Sequence, residues 1–263
     1  MSVGPLPPRR SWVEQIMGMP ISVLARGEAA GSELAERASA AAFAELRAVD
    51  AMFSTYRPDS AVSRLGRGEV TLDQCPPQVR DVERGCARAR ELTNGLFDAT
   101  RPDGRWDPSG FVKGWAAQRC ARHLAAVPQV DWCLNAGGDV IVLCAHGRTF
   151  QVGIADPQDP TRIAAVLECD TGAVATSGTS VRGSHIYDPR TGRAAEPHWA
   201  SVTVAGPSLE TADVLATAAF AAGPGWAEVL ALAADYAGLA ITTDGATTTT
   251  EDWPTTTRPL GTR

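Results

Sequence analysis

The sequence has no apolar run near the length of about 18 residues that a membrane-spanning helix requires. Two adjacent arginines, Arg9 and Arg10, stand near its start, but neither the apolar segment nor the small-residue cleavage site of a secretory signal follows them. From these two absences we expect a cytoplasmic protein with no stable insertion in a membrane.

No C-x-x-C pair occurs among the six cysteines, which are scattered along the chain. This scatter argues against a zinc site or a disulfide framework and favours buried, reduced thiols. The residues are Cys75, Cys86, Cys120, Cys133, Cys144 and Cys169.

Clustered basic charge is also missing, because the net charge is −6 and no Lys/Arg-rich run alternates with aromatic residues. This composition excludes a general nucleic-acid binder. The chain has neither a G-x-G-x-x-G fingerprint nor a Walker loop, and no G-x-S-x-G elbow surrounds Ser177. It therefore gives no support for a dinucleotide-binding, P-loop or serine-hydrolase function.

What the sequence does contain is 44% hydrophobic residues, enough for a sizeable core. We predict a poorly ordered, Pro- and Arg-rich arm over residues 1–15 and one domain over residues 16–263. Apolar spacing predicts helices over 31–52, 77–93, 113–127, 209–222 and 225–237. Short β-branched runs predict strands over 20–25, 139–144, 149–154, 163–168 and 201–204, and residues 239–250 predict a hairpin turning at Asp244-Gly245. The expected class is α+β, with mixed or antiparallel sheets flanked by helices.

An acidic and a hydroxyl residue interrupt the apolar helix predicted over 209–222. Asp213 and Thr217 are four residues apart and therefore lie on one helix face. Their hard oxygen atoms suit Mg²⁺, with phosphate oxygens or waters completing the coordination. The alternative is structural: a carboxylate favoured by the helix dipole and a threonine bonded to the carbonyl four residues before it.

Four further segments combine glycine with polar residues. Residues 135–139 (Asn-Ala-Gly-Gly-Asp) could bring backbone N–H groups to a ligand or form a tight hairpin turn. In residues 176–192, His185 precedes an Asp-Pro-Arg-Thr-Gly turn and is either a general base or a surface residue. Residues 93–100 and 107–114 mix polar side chains with single large apolar ones, as a site for a planar aromatic ligand or an ordinary connection would.

Taken in order, these segments resemble the ApbE family of FAD:protein FMN transferases. The resemblance runs from Met17-Gly18 to the final hairpin and includes residues 50–60, 93–98, 113–114, 135–139, 176–178, 185–192, 201–204 and 212–217. It implies an ApbE-like, T-fold-related domain and a Mg²⁺-dependent transfer of FMN from FAD to a Thr or Ser hydroxyl of an acceptor flavoprotein, with release of AMP.

The resemblance also implies roles for individual residues. Asp213, Thr217 and the main-chain carbonyl of Val112 would hold Mg²⁺ at the FAD pyrophosphate, and His185 would take the proton from the acceptor hydroxyl. The positions that match the flavin site of the family are Met17, Tyr56, Leu96, Phe97, Asp98, Ser109 and Ile186.

Two other functions remain open from the sequence. The same metal site would serve an FAD pyrophosphatase that lets water attack and releases FMN and AMP, and a third possibility is an FAD-binding protein without chemistry. The acceptor is expected to carry an Asp/Thr flavinylation motif. Residues 244–247 of this chain (Asp-Gly-Ala-Thr) share that composition, but an Asp-Gly hairpin explains them as well.

Overall fold

A computed structural model describes residues 7–145, 148–178, 186–196 and 198–254. These residues form six α-helices and twelve strands. The helices are α1 (Glu33–Phe53), α2 (Ala61–Gly66), α3 (Pro77–Leu92), α4 (Ser109–Ala125), α5 (Leu209–Ala222) and α6 (Trp226–Leu230). The strands are β1 (Arg9–Ile16), β2 (Met19–Arg26), β3 (Asp131–Ala136), β4 (Asp139–Leu143), β5 (Phe150–Ala155), β6 (Ile163–Cys169), β7 (Thr171–Gly178), β8 (Tyr187–Asp188), β9 (Arg193–Ala194), β10 (Trp199–Gly206), β11 (Ala237–Thr242) and β12 (Thr247–Thr249).

The architecture is built on one eight-stranded sheet in the order β1-β2-β3-β4-β7-β10-β11-β12. Every neighbouring pair in it is antiparallel. Hairpins join β1 to β2, β3 to β4 and β11 to β12, and the last of these confirms the predicted closing hairpin. The predicted α+β class is confirmed.

The two faces of the sheet bury different partners, because side chains alternate along each strand. Ile141 of β4 and Ala175 of β7 pack in the large core beneath the helices. Their neighbours Val142 and Val174 face the opposite side, where the β5–β6 hairpin and Trp253 form a second, smaller core. Within the described ranges, no helix is long and apolar enough to cross a membrane.

The helices α4 and α5 cross closely beneath the sheet, and a glycine makes this approach possible. A Cβ added at Gly114 of α4 would lie 2.9 Å from the Leu209 carbonyl oxygen of α5 and 3.1 Å from the Asp213 Cβ. The start of α5 is also fixed to α4, because the Leu209 N–H donates to Gln118 Oε1 at 2.8 Å. This contact determines how the polar residues of the two helices face each other.

The prediction of a poorly ordered arm over residues 1–15 is wrong for residues 9–15, which belong to β1. This strand pairs with β2 along its whole length, from Arg9 opposite Arg26 to Ile16 opposite Met19. Trp12 also packs on Trp132, with ring centroids 6.3 Å apart. Pairing and aromatic packing therefore outweigh the Pro- and Arg-rich composition on which the prediction rested.

The helix predicted over 225–237 is also wrong over its second half. The helix α6 ends at Leu230, and Ala237 is already the first residue of β11. Pairing with β10 places Ala237 opposite Ala205. Tertiary pairing thus overrides the helix propensity of the alanine-rich segment.

Candidate active site

Asp213 and Thr217 lie one turn apart on α5, as their spacing predicts. The Asp213 side chain is almost completely buried, with 3% of the residue exposed. Because α5 packs against β7, β10 and α4, this carboxylate faces the interior of the domain. A buried carboxylate requires a charged or hydrogen-bonding partner.

The partner is Lys113, in the second turn of α4. Its Nζ lies 2.5 Å from Oδ2 of Asp139, the first residue of β4, and 3.4 Å from Oδ1 of Asp213. Asp139 is 1% exposed, and its Oδ1 accepts a hydrogen bond from the Thr176 N–H at 3.1 Å. One ammonium group therefore stands between two buried carboxylates.

This arrangement changes the acidity of Asp213. Burial is the largest cause and raises the pKa, the ammonium of Lys113 lowers it, and the neighbouring carboxylate of Asp139 raises it again. The net result raises the pKa of Asp213 to about 7. The carboxylate therefore changes its charge close to neutral pH unless another cation stabilises the ionised form.

Two hydroxyl pairs border the carboxylates at the end of β7. Ser177 Oγ lies 3.2 Å from Thr217 Oγ1, which ties the strand to α5. On the other face of the same strand, Thr176 Oγ1 lies 2.9 Å from Thr203 Oγ1. Thr217 therefore has a defined hydrogen-bond partner, and its hydroxyl oxygen keeps a further lone pair for another ligand.

The donor set fits a hard cation. Asp213 Oδ2 is buried without a hydrogen-bond partner among the described residues. Thr217 supplies a hydroxyl oxygen on the same helix face, and Val112 stands next to Lys113 in α4. The described part of the chain holds no group of three or more His, Cys, Asp and Glu side chains placed to bind a metal. A metal at Asp213 would thus need hydroxyl, carbonyl or substrate oxygens, which are ligands that Mg²⁺ accepts.

The Asn135–Asp139 segment is the hairpin turn between β3 and β4, with Ala136 paired to Asp139. Gly137 and Gly138 both have positive φ, and Asn135 Oδ1 accepts from the Gly138 N–H at 2.8 Å. A Cβ at Gly137 would lie 2.5 Å from the Met19 sulfur, so this turn packs beside the Met17-Gly18 turn of the first hairpin. The two glycines allow the backbone to form this turn, and the turn fixes the position of Asp139.

Several residues expected at the flavin site meet around the loop between α3 and α4. Phe97 is buried, and its ring would lie 3.5 Å from a Cβ at Gly110, next to Ser109 at the start of α4. Asp98 Oδ2 accepts from Arg90 Nε at 2.9 Å. Leu96 packs against the large core beside them.

The segment around β8 is anchored to the same loop. The Tyr187 hydroxyl donates to the carbonyl oxygens of Asp98 and Thr100, at 2.5 and 3.0 Å. Ile186 is 8% exposed and belongs to the large core. Since Ser109 begins the helix that carries Lys113, the first turns of α4 connect this loop to the buried carboxylates.

One expected site residue among those described is not joined to these groups. Tyr56, in the segment after α1, is 96% exposed. His185 lies outside the described residues. Three residues at this site, Lys113, Asp139 and Ser177, were not predicted from the sequence as site residues, although the Lys-Gly, Asn-Ala-Gly-Gly-Asp and Thr-Ser-Gly segments that contain them stood out. For Lys113 and Asp139, the signal that could have identified them was a charged residue beside a glycine-rich segment.

Comparisons with solved structures define the class of fold. The flavin transferase ApbE from Vibrio cholerae superposes with a TM-score of 0.77 and 24% identity, covering 93% of this chain and 97% of that one. The ApbE protein from Thermotoga maritima gives a TM-score of 0.78 and 22% identity, with the same coverage. At these identities the likeness establishes the fold.

Sequence comparisons identify the family. The model of the ApbE family matches residues 17–102 and 100–241, which is most of the chain. The chain belongs to the ApbE family. A curated relative, the FAD:protein FMN transferase of Rhodobacter capsulatus, is 34% identical over 165 residues, or 59% of this chain and 31% of the relative. The enzyme of the same name from Vibrio cholerae is 34% identical over 122 residues, 42% of this chain and 36% of the relative. The matches thus span about a third of the length of these curated relatives.

Proposed function

We propose that this protein splits FAD and transfers its FMN half to a Thr or Ser hydroxyl of an acceptor flavoprotein, releasing AMP. Family membership and the names of the curated relatives support FAD as the substrate and flavin transfer as the reaction. The observation that carries the proposal is the buried Asp213 carboxylate, which has one oxygen without a hydrogen-bond partner among the described residues and the hydroxyl of Thr217 one turn away.

In this proposal Asp213, Thr217 and the Val112 carbonyl would hold Mg²⁺. The bound metal would supply positive charge to the transferred phosphoryl group and to the leaving AMP. The side chains themselves do two things. Asp213 gives a full negative charge in a buried setting, and the hydroxyl of Ser177, 3.2 Å from that of Thr217, orients the Thr217 lone pair.

The flavin end of FAD is assigned to the loop between α3 and α4 and to its neighbours. The half-buried Leu96 offers apolar surface for the ring system, with the buried Phe97 and Ile186 in the core behind it, and Asp98 and Ser109 offer polar groups for its edge or for the ribityl chain. Met17 would extend this surface from the first hairpin. Tyr56, which is 96% exposed, has the free surface to stack on a ring that arrives from solvent.

His185 is assigned the role of general base. It would accept the proton of the acceptor hydroxyl as that oxygen forms its bond to the FMN phosphorus, while the pyrophosphate bond breaks and AMP leaves with the bridging oxygen. Tyr187, two residues further along the chain, is hydrogen-bonded to the flavin loop, which supports a role for this segment in catalysis.

The acceptor and the compartment complete the proposal. An acceptor protein with an Asp/Thr flavinylation motif, present in the cytoplasm, is the expected partner. All six cysteines of the chain are unpaired, and burial raises the pKa of Cys86 and Cys120 to about 12. Unreactive, reduced thiols suit a reducing compartment.

Intact-mass analysis tests the proposal. The protein is incubated with FAD and Mg²⁺, with and without a purified acceptor domain that carries the motif, while chromatography follows AMP. We expect an FMN-sized mass gain on the acceptor, which is lost in Asp213→Ala and His185→Ala. Release of AMP and free FMN without an adduct would instead identify a pyrophosphatase. Tight binding of FAD without AMP release, unchanged in His185→Ala, would identify a flavin-binding protein.

A further inference from the structure

The two carboxylates around Lys113 are not equivalent. The ammonium lies 2.5 Å from Asp139 Oδ2 but 3.4 Å from Asp213 Oδ1, so it is closer to the carboxylate that is not assigned to the metal. Asp139 is itself fixed, because its other oxygen accepts from the Thr176 N–H and because it begins β4 directly after the Gly137-Gly138 turn. Oδ2 of Asp213 and Oδ2 of Asp139 both lack a hydrogen-bond partner within the described ranges, but only the Asp139 oxygen lies 2.5 Å from the ammonium.

We propose that Asp139 is a positioning residue that draws the Lys113 ammonium toward itself and thereby leaves Oδ2 of Asp213 open to a divalent cation. The inference rests on the metal site of the proposed function. It assigns to Asp139 a task that is separate from binding the metal: Asp139 acts through Lys113.

The packing of α4 on α5 explains why such a residue is needed. Gly114, next to Lys113, would place a Cβ only 3.1 Å from the Asp213 Cβ, so the lysine cannot withdraw far from α5. In a buried site of low dielectric, an ammonium that lacks another carboxylate pairs with the nearest one. Without the charge of Asp139, the nearest one is Asp213, and the ammonium then competes with the metal.

A double-mutant cycle on the full-length protein, without FAD, tests this role. The probe is Mn²⁺, and its affinity is measured by isothermal titration calorimetry and by the EPR signal of the free ion. The variants are Asp139→Asn, Lys113→Met and the combination of both. An asparagine keeps the oxygen that accepts from Thr176 but removes the charge. Lys113→Gln replaces Lys113→Met if the apolar side chain prevents folding, which thermal unfolding of each variant checks.

We expect the effect of the Lys113 substitution on Mn²⁺ affinity to depend strongly on whether the charge of Asp139 is present. Asp139→Asn should weaken Mn²⁺ binding at least tenfold, or about 1.4 kcal/mol. Removal of the lysine should then tighten binding at least tenfold in the Asp139→Asn background but less than threefold in the wild type, where the ammonium lies closer to Asp139 than to Asp213. Asp252→Asn, which removes one exposed acidic charge elsewhere, should leave the affinity unchanged.

Equal effects of the lysine substitution in the two backgrounds would overturn the inference, because additive effects mean that each charge acts on the metal independently. The Asp213→Ala variant distinguishes a failure of the inference on Asp139 from a failure of the proposed function. If Asp213→Ala abolishes Mn²⁺ binding while the two effects are equal, only the role of Asp139 is wrong. If Asp213→Ala leaves the affinity unchanged, the metal assignment and the role of Asp139 are both wrong.

Discussion

Gly114 of α4 and Leu209 of α5 lie so close that a single added carbon would separate the two helices. The Cβ of an alanine at Gly114 would stand 2.9 Å from the Leu209 carbonyl oxygen, nearer than such atoms approach in folded proteins. Backbone atoms cannot rotate out of the way as a flexible side chain can. This contact therefore links the helix that carries Lys113 to the helix that carries Asp213.

Gly114→Ala should lower both stability and metal affinity. Overpacking at a buried contact costs about 1–3 kcal/mol, and relief of the clash would shift α5 together with Asp213. Urea unfolding gives the first effect, and Mn²⁺ titration gives the second. Gly66→Ala is the matched control, because a Cβ at this α2 glycine would meet no atom within 4 Å. Equal behaviour of the two variants would show that the close approach of α4 and α5 is not needed.

Metal affinity should depend on pH through Asp213. The metal requires the ionised carboxylate, and burial raises the pKa of Asp213 to about 7. Below that pH, protons compete, so the Mn²⁺ association constant should fall by up to about tenfold per pH unit and level off above it. Calorimetric titrations from pH 5.5 to 8.5 measure this slope. Asp213→Asn should bind weakly with a flat profile, and a flat wild-type profile would contradict the assignment.

The metal-free protein should lose stability as the pH rises through the same range. The pKa of Asp213 is about 7 in the folded state, against the ordinary aspartate value of 3.8 that applies in the unfolded chain, so the folded state binds more protons between these values. Its free energy of unfolding therefore falls from about pH 4 to pH 7, by at most about 1.4 kcal/mol per pH unit from this group. The difference between wild type and Asp213→Asn in urea unfolding at pH 5, 6, 7 and 8 isolates the contribution. If the free energy of unfolding of the wild type instead increased relative to that of Asp213→Asn as the pH rose, this prediction would be wrong.

Tyr187→Phe should weaken FAD binding with a small effect on the fold. The substitution removes the hydroxyl that donates to the carbonyls of Asp98 and Thr100, which join β8 to the flavin loop. Loss of this link is worth about 1 kcal/mol, or a several-fold increase in the Kd for FAD. Flavin fluorescence quenching measures the Kd. Thr250→Val, which removes a hydroxyl that accepts from the Gly238 N–H at 3.0 Å beside the closing hairpin, is the control and should bind FAD like the wild type.

Sequence patterns predicted most of the local structure and, within the candidate site, the pair Asp213 and Thr217. The spacing of Asp213 and Thr217 on a helix follows from the 3.6-residue period, and α5 has the predicted bounds, Leu209–Ala222. The Asp244-Gly245 hairpin was also predictable from the sequence, because few residues other than glycine suit the φ of +89° at Gly245. Such features depend on neighbours in the chain.

The rest of the site depends on contacts between distant segments. Lys113 and Asp139 are 26 positions apart in sequence, and only the packing of α4 beneath β4 brings them to 2.5 Å. The strand β1 was missed for a similar reason, since its pairing with β2 and the packing of Trp12 on Trp132 are not visible in its own composition. Periodicity and turn chemistry contain no information on these pairings.

The most direct test of the central claim is the ratio of protein-bound FMN to released AMP in one reaction with FAD, Mg²⁺ and the acceptor domain. Bound FMN is counted by the intact mass of the acceptor and AMP by chromatography of the same sample. If the protein transfers FMN as proposed, we expect one AMP for each FMN attached, with both products absent in Asp213→Ala. AMP formed in the wild type without any FMN on the acceptor, or transfer that persists in Asp213→Ala, would contradict it.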